Sequence, residues 1–339
     1  MKKIQLIKLI SAIEKEGFAV FAPVEEKGRV MVRPLHDARQ YTFVEKLPYY
    51  SYKAFFFAPR EVLFEYEKGE MREYKTEYPK IALVGVRKID LKAIAFYDEV
   101  FKKDAYYQRR RKNILVVGHE VEGMESGSFL DQYERDTLED LPFDVFLQQG
   151  KKDVEVFVQS PLGEKFARKA GERKPKMIQH SGARKNDPES TMLKSAVDKT
   201  KFSDKMWEDL GALCIECGQC TISCPTCYCF AMIEEPLLGE QKGQRVRAWD
   251  ACYYSEFSRV TGEHRFQDTV AKRIHFWYTH KFSRDPAHHK MIGCIGCERC
   301  THSCPVDINI RKVLASAVAG GASYSNTQQE SYPLKSSQS

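Results

Sequence analysis

Cysteine is absent from the first 213 residues of this 339-residue chain, and all eleven cysteines lie between Cys214 and Cys304. A secreted disulfide scaffold spreads paired cysteines through its loops, whereas a metal site crowds them at short fixed spacings. An odd total in one block therefore points to a reducing compartment and to metal ligation. No apolar run approaches the ~20 residues that a membrane-spanning helix needs. MKKIQLIKLISAIEKEG opens with lysines, but Ile4, Leu6, Ile7, Leu9, Ile10 and Ile13 are interleaved with Lys8, Glu14 and Lys15. With no small-residue cleavage site, it reads as an amphipathic helix ending at Gly17 rather than a signal peptide. The expectation is a soluble, cytoplasmic protein. A net charge of +6 is too small to argue for nucleic acid. GVRKID lacks the further glycines of a dinucleotide fingerprint, and no GxxxxGK[ST] phosphate loop occurs.

What is present predicts an α+β chain. Residues 1–181 read as a mixed α/β domain that serves as scaffold or docking surface. FAVFAPV (18–24) and RVMVRPL (29–35) form a hairpin pattern around Glu-Lys-Gly, and AFFFAP (54–59) and EVLFEYE (61–67) are strand-like. IALVGVR (81–87) is a buried strand leading to Asp90 as an N-cap and a helical pattern on Leu91, Ile94, Ala95, Asp98 and Phe101. NILVVGHE (113–120) is the next strand, completing a parallel βαβ unit. Residues 165–185 carry eight Lys or Arg against Glu172 alone, a solvated connection or a patch for an acidic partner. Residues 182–200 read as a linker, 201–319 as the cysteine-bearing domain, and 320–339 as a disordered tail.

The cysteines carry the chemistry. Cys214, Cys217, Cys220 and Cys224 form C-x2-C-x2-C-x3-C followed by Pro225, and Cys294, Cys297, Cys300 and Cys304 repeat it before Pro305. Three cysteines three residues apart let one wrapped loop aim three thiolates at one 4Fe–4S cubane, while the fourth reaches the neighbouring cluster. The two-cluster pattern thus assigns Cys214, Cys217, Cys220 and Cys304 to one cluster, and Cys294, Cys297, Cys300 and Cys224 to the other. Structural zinc is the alternative, but zinc gains nothing from a third cysteine in phase, a fourth after three residues and a proline, all repeated. The 69 intervening residues (225–293) read largely as helix, at 244–260 and 268–282, with a further helix from Asn309 through Ala319. The aromatics Tyr228, Phe230, Trp249, Phe257, Phe276 and Trp277 read as core.

Three cysteines remain. Cys227, Cys229 and Cys252 are each inert by default, since free cysteine is an ordinary buried residue. Their proximity leaves open a third site, cluster or zinc, with His264 of TGEHRF as its fourth ligand; the other reading of His264 is an exposed polar turn residue.

CIECGQCTISCPTCYCF, RVRAWDACYYSEFSRVTGEHRF and CIGCERCTHSCP together resemble the iron–sulfur β subunits of cytosolic NiFe hydrogenases of the sulfhydrogenase type. They are nearly as similar to the corresponding electron-transfer component of anaerobic sulfite reductase. FAVFAPV and ALVGVRKIDLKAIAFYDEVF fit the same family, so the resemblance covers most of the chain. It implies an α-helical ferredoxin fold around the clusters. It also implies a non-catalytic subunit passing electrons between hydrogenase small and large subunits and a flavin-containing, NAD(P)-binding diaphorase-type subunit. Family members tend to carry Cys-Asp where this chain has Ile89-Asp90, and often cysteines where it reads VEGMESGSFLDQYERD. The residues agree on one point: without a nucleotide fingerprint, catalytic triad or hydrogenase active-site cysteines, the chemistry at hand is one-electron relay. A zinc-stabilised interaction module is the reading from a different class.

Overall fold

A computed structural model describes residues 3–124, 127–130, 136–151, 153–182, 188–321 and 323–325. Helix α1 (Lys3–Lys15) buries Leu9, Ile10 and Ile13, the stripe expected from its spacing. Strands β1 (Ala19–Glu26) and β2 (Arg29–Pro34) pair antiparallel around Lys27 and Gly28, both at positive φ. The AFFFAP segment is not a strand. Lys53–Phe56 forms the short helix α2, which buries Phe56 in an aromatic core instead of alternating faces. Strands β3 (Arg60–Glu67) and β4 (Glu70–Glu73) follow, then the apolar β5 (Ile81–Val86).

The βαβ unit forms as its pattern predicts. Helices α3 (Lys88–Val100) and α4 (Ala105–Arg111) lead from β5 to β6 (Ile114–Val121), which lies parallel to it. Asp90 is not the N-cap, which is Arg87; it sits in the first turn of α3 with its carboxylate engaged elsewhere. Strands β7 (Val145–Gln149) and β8 (Val154–Val158), helix α5 (Pro161–Lys169) and the two-residue β9 (Lys176–Met177) complete a seven-stranded sheet in the order β2-β1-β5-β6-β7-β8-β9. Much of the basic 165–185 stretch is thereby structured rather than connecting. Lys165 and Lys169 both pair with Glu16, just beyond α1, and Lys176 pairs with Glu155.

His119 on β6 is a buried neutral group in this sheet. Its Nδ1 lies 2.9 Å from the Tyr41 hydroxyl and its Nε2 3.2 Å from Gln149 Oε1. Burial holds its pKa down at about 4, against an ordinary 6.5. Between those values the unfolded chain takes up a proton that the folded chain refuses. Stability should therefore fall by about 3 kcal/mol as pH drops through that window. The pH dependence of the denaturant midpoint measures this, and His119→Gln should flatten it.

The second half is helical with one exception. Where a linker is expected, α6 (Pro188–Lys199) forms and buries Leu193 and Val197; α7 (Lys205–Leu213) buries Met206, Trp207 and Leu210. After the short α8 (Gln219–Ser223), the 244–260 segment expected as helix is instead strand up to Trp249, followed by turns and a 3-10 turn at Ser255–Ser258. β10 (Phe230–Pro236) and β11 (Lys242–Trp249) form a hairpin, and β11 pairs with β3 to give a second sheet, β10-β11-β3-β4. Its interior anchor is Arg247, whose guanidinium is buried between Glu61 of β3 and Asp104. Helix α9 (Val270–Thr279) runs into a π-helical turn, His280–Arg284, and α10 (Asp285–His289). The short α11 (Arg299–His302) and α12 (Ile310–Val318), capped by Asn309, end the helices. The start of the expected tail is anchored: Tyr324 is buried, and its hydroxyl accepts the Asn309 N–H. The rest of that tail, residue 322 and residues 326–339, lies outside the described residues.

Candidate metal centres

The two cysteine loops share one backbone. In the first, Glu216 and Gly218 have positive φ (58° and 70°), and in the second, Gly296 and Glu298 do (74° and 54°). These are the same two positions after the leading cysteine. Alternating left-handed residues turn successive N–H groups inward, making a concavity suited to an anionic ligand. The N–H groups of Glu216 and Gly296 each lie 3.4 Å from the sulfur of their loop's first cysteine, Cys214 and Cys294. A non-glycine residue held left-handed costs of order 1–3 kcal/mol and persists only where surroundings enforce it. Here the enforcement is ionic: Glu216 is held by Arg273 of α9 and Glu298 by Arg311 of α12. At Gly218 a side chain would collide with the Tyr254 ring, and at Gly296 with Ser128 and the Leu130 backbone.

The loops meet through α8 and α11. Ser223 and Ser303, each preceding the fourth cysteine of its run, bring their hydroxyls together at 2.9 Å. Across this junction Cys304 falls in with the first loop: one cavity is lined by Cys214, Cys217, Cys220, Cys304 and Cys300, with Tyr253, Trp277 and Tyr278 as apolar wall. The Trp277 indole N–H is buried there with no hydrogen-bond partner among the described residues, so a sulfur acceptor would satisfy it. Cys224 in turn is an electrostatic neighbour of Cys294, Cys297 and Cys300. Burial pushes the Cys294 thiol up to about 12 and raises Cys214, Cys220, Cys297 and Cys300 as well. Thiols that burial holds neutral become thiolates only where a metal supplies positive charge. The donor set, the inward N–H groups and the orphaned indole fit two 4Fe–4S clusters.

The surplus thiols lie near one another, but among the described residues the three do not form a group that could hold a single metal ion. Cys227 neighbours Cys224 and Cys229 neighbours Cys252; the neighbouring thiol raises Cys227 and Cys252, and its partner is correspondingly lowered. In Cys224 burial opposes that lowering and is outweighed by Cys227, Lys281 and Thr226. His264 is not placed as a ligand would be. It lies on an exposed turn with its ring edge-on to Phe266, and its carbonyl accepts the Val260 N–H.

Contacts with the N-terminal region, invisible in the sequence, hold this assembly. Arg299, between Cys297 and Cys300, makes a bidentate pair with Asp90 at 2.8 and 2.9 Å and donates to the Pro48 carbonyl. Tyr97 donates to the Cys227 carbonyl at 2.8 Å. Lys53 donates to the Thr221 carbonyl at 2.9 Å, with its ammonium 3.9 Å over the Trp249 ring.

A family model for the 4Fe-4S dicluster domain matches residues 213–308. Over 277 residues, 77% of this chain and 81% of the relative, the sequence is 31% identical to Sulfhydrogenase 2 subunit beta of Pyrococcus furiosus. The chain belongs to the sulfhydrogenase β-subunit family. Its dicluster domain implies two 4Fe–4S clusters, and at family level a sulfhydrogenase β subunit is an iron–sulfur electron-transfer subunit. No solved structure matches it. Among the described residues no helix is long and apolar enough to cross a membrane. In this sulfhydrogenase β-type chain, Ile89 takes the place expected of a family cysteine. It is buried with Ala93 against Ile295 and Cys297, so an apolar contact to the second cysteine loop occupies that position.

Proposed function

We propose that this chain relays single electrons through two 4Fe–4S clusters, between a NiFe hydrogenase module and a flavin-containing, NAD(P)-binding subunit of a cytoplasmic complex. The cysteines divide as Cys214, Cys217, Cys220 and Cys304 for one cluster, and Cys294, Cys297, Cys300 and Cys224 for the other. The observation that carries the reading is the repeated left-handed loop that gathers three cysteines and meets the fourth of the other run across Ser223 and Ser303. Helices α7, α9, α11 and α12 would enclose the pair as an α-helical ferredoxin does. Each cluster, when bound, supplies reversible one-electron storage. The chain's own residues orient the thiolates, exclude water with Tyr253, Trp277 and Tyr278, and leave Cys217 and Ile215 exposed where an electron can enter or leave. Along the edge strand β10 and its turn, Phe230, Met232, Ile233, Leu237 and Leu238 are exposed, the kind of apolar stretch that a partner subunit covers.

Anaerobic purification from its host tests the reading. We expect hydrogenase subunits and a flavoprotein to co-purify. A sirohaem partner would favour the sulfite reductase reading, and a colourless chain without acid-labile sulfide the zinc module. Cys227, Cys229 and Cys252 are proposed as a third site. At ~4 irons per cubane, iron would then approach twelve per chain rather than eight. Cys252→Ala should remove the excess, and His264→Ala should leave it, given that residue's exposed turn.

A further inference from the structure

Two lysine ammoniums are buried among the cluster cysteines: Lys53 is 6% and Lys281 3% exposed. Among the described residues neither has a carboxylate in ion-pair contact; Asp285 acts on Lys281 electrostatically from beyond that range and accepts from the Tyr228 hydroxyl at 2.8 Å. An uncompensated buried cation is costly, so negative charge has to stand near it, and the cysteine sulfurs, with Asp285 for Lys281, are what stands there. The geometry at Lys281 is specific. From the π-helical turn after α9, its Nζ donates to the Gly293 carbonyl at 2.6 Å and to Thr226 Oγ1 at 3.0 Å. Thr226 Oγ1 lies 3.2 Å from Cys224 Sγ and 2.7 Å from the same Gly293 carbonyl.

The hydroxyl has one proton and two candidate acceptors. While Cys224 is a thiol, Thr226 donates to the Gly293 carbonyl, whose other lone pair takes Lys281, and Lys281 also occupies a lone pair on Thr226. A cysteine sulfur bound to iron carries no proton and can only accept. As an iron ligand the anionic Cys224 Sγ, 3.2 Å away, outcompetes a carbonyl that already accepts from Lys281, and the Thr226 proton turns to sulfur, polarised by the ammonium behind it. Hydrogen bonds and positive charge at ligand sulfur favour the reduced, more negative state. The chain contains its own comparison: the first run ends CPT and the second CPV, so Cys304 is followed by Val306, which has no hydroxyl. The Cys304 sulfur instead faces the Ile308 N–H at 3.4 Å.

We propose that Lys281 is a positioning residue which, through the Thr226 hydroxyl on Cys224 Sγ, makes the cluster held by Cys294, Cys297, Cys300 and Cys224 the more easily reduced of the two. The inference rests on the cluster reading above. The step is the gain of one electron from an external reductant, dithionite in the assay. Thr226 keeps its proton, and no bond in the chain breaks.

Potentiometry followed by electron paramagnetic resonance, on the full chain loaded with iron and sulfide, tests it. Thr226→Val and Lys281→Met should each lower the reduced-to-oxidised ratio of one cluster at least tenfold at fixed potential. That corresponds to about 59 mV for a one-electron couple. The other cluster should move less, and Thr226→Ser should retain the parent potential. Unchanged potentials in Thr226→Val with its iron intact would overturn the proposal. So would loss of iron in both Thr226→Val and Thr226→Ser, which would make Thr226 structural. If Lys281→Met alone loses iron, the near-isosteric Thr226→Val decides. A parent chain that takes up no iron would sink the cluster reading itself, a distinguishable failure.

Discussion

Asp90→Ala will destabilise this protein by about 3–5 kcal/mol, because it strands a buried guanidinium. Asp90 is 2% and Arg299 4% exposed, and the two are joined by parallel hydrogen bonds of 2.8 and 2.9 Å. Burial works against the Arg299 charge, but Asp90 and the Cys297 thiol more than compensate, and its pKa is raised. Removing one partner leaves the other charge without compensation in a low-dielectric interior, which is why the loss exceeds what an exposed pair would give. Arg299→Met should cost a similar amount. The double variant, which leaves no orphaned charge, should lose less than the sum of the two. Denaturant midpoints of the four proteins under anaerobic conditions give the coupling energy. A sum that merely adds would mean that the pair is not joined in solution. Because Arg299 lies between Cys297 and Cys300, two of the proposed ligands, Asp90→Ala should also weaken iron retention in the second loop.

The second large effect concerns the crossed ligands. Cys214→Ala and Cys304→Ala, 90 positions apart in the chain (304 − 214), should abolish the same cluster. Cys224→Ala and Cys294→Ala should abolish the other. Each variant should lose ~4 irons and one of two paramagnetic signals, while the N-terminal sheet keeps its far-ultraviolet signature. If Cys304→Ala instead matched Cys294→Ala in which signal it loses, each run would serve its own cluster and the assignment would fall. Throughput in the complex should drop with any of the four.

The cysteine rhythm is readable without a structure because ligand spacing is local: three positions per step within one loop fix which sulfurs can converge. The same holds for the βαβ unit, where apolar IALVGV and ILVVGH bracket a helical period. Strand and helix are hard to separate where the signal is short and apolar. Phe55, Phe56 and Phe57 are aromatic and consecutive, and neither period is visible in three residues, so packing of Phe56 and Phe57 into the aromatic core decides for helix. The 244–260 stretch departs from its expected helix for a different reason. Val246 and Ala248 alternate with Arg245 and Arg247, a strand pattern, but its pairing partner β3 lies some 180 residues earlier (Arg247 against Glu61, 247 − 61 = 186). Asp90 looks like a cap because its sequence neighbours allow one. Its actual partner is 209 positions away.

By itself, the order of residues determined the repeated cysteine motifs, the apolar faces of the long helices and the buried strands, since each depends on spacings within about a dozen residues. Only the folded chain decided that Cys304 lines the cavity of the first loop, that Thr226 rather than Val306 stands under a buried ammonium, and that Asp90 serves Arg299. Those outcomes depend on desolvated charges and sulfurs brought together from distant segments, and the energy of such a meeting exists only once burial has lowered the local dielectric.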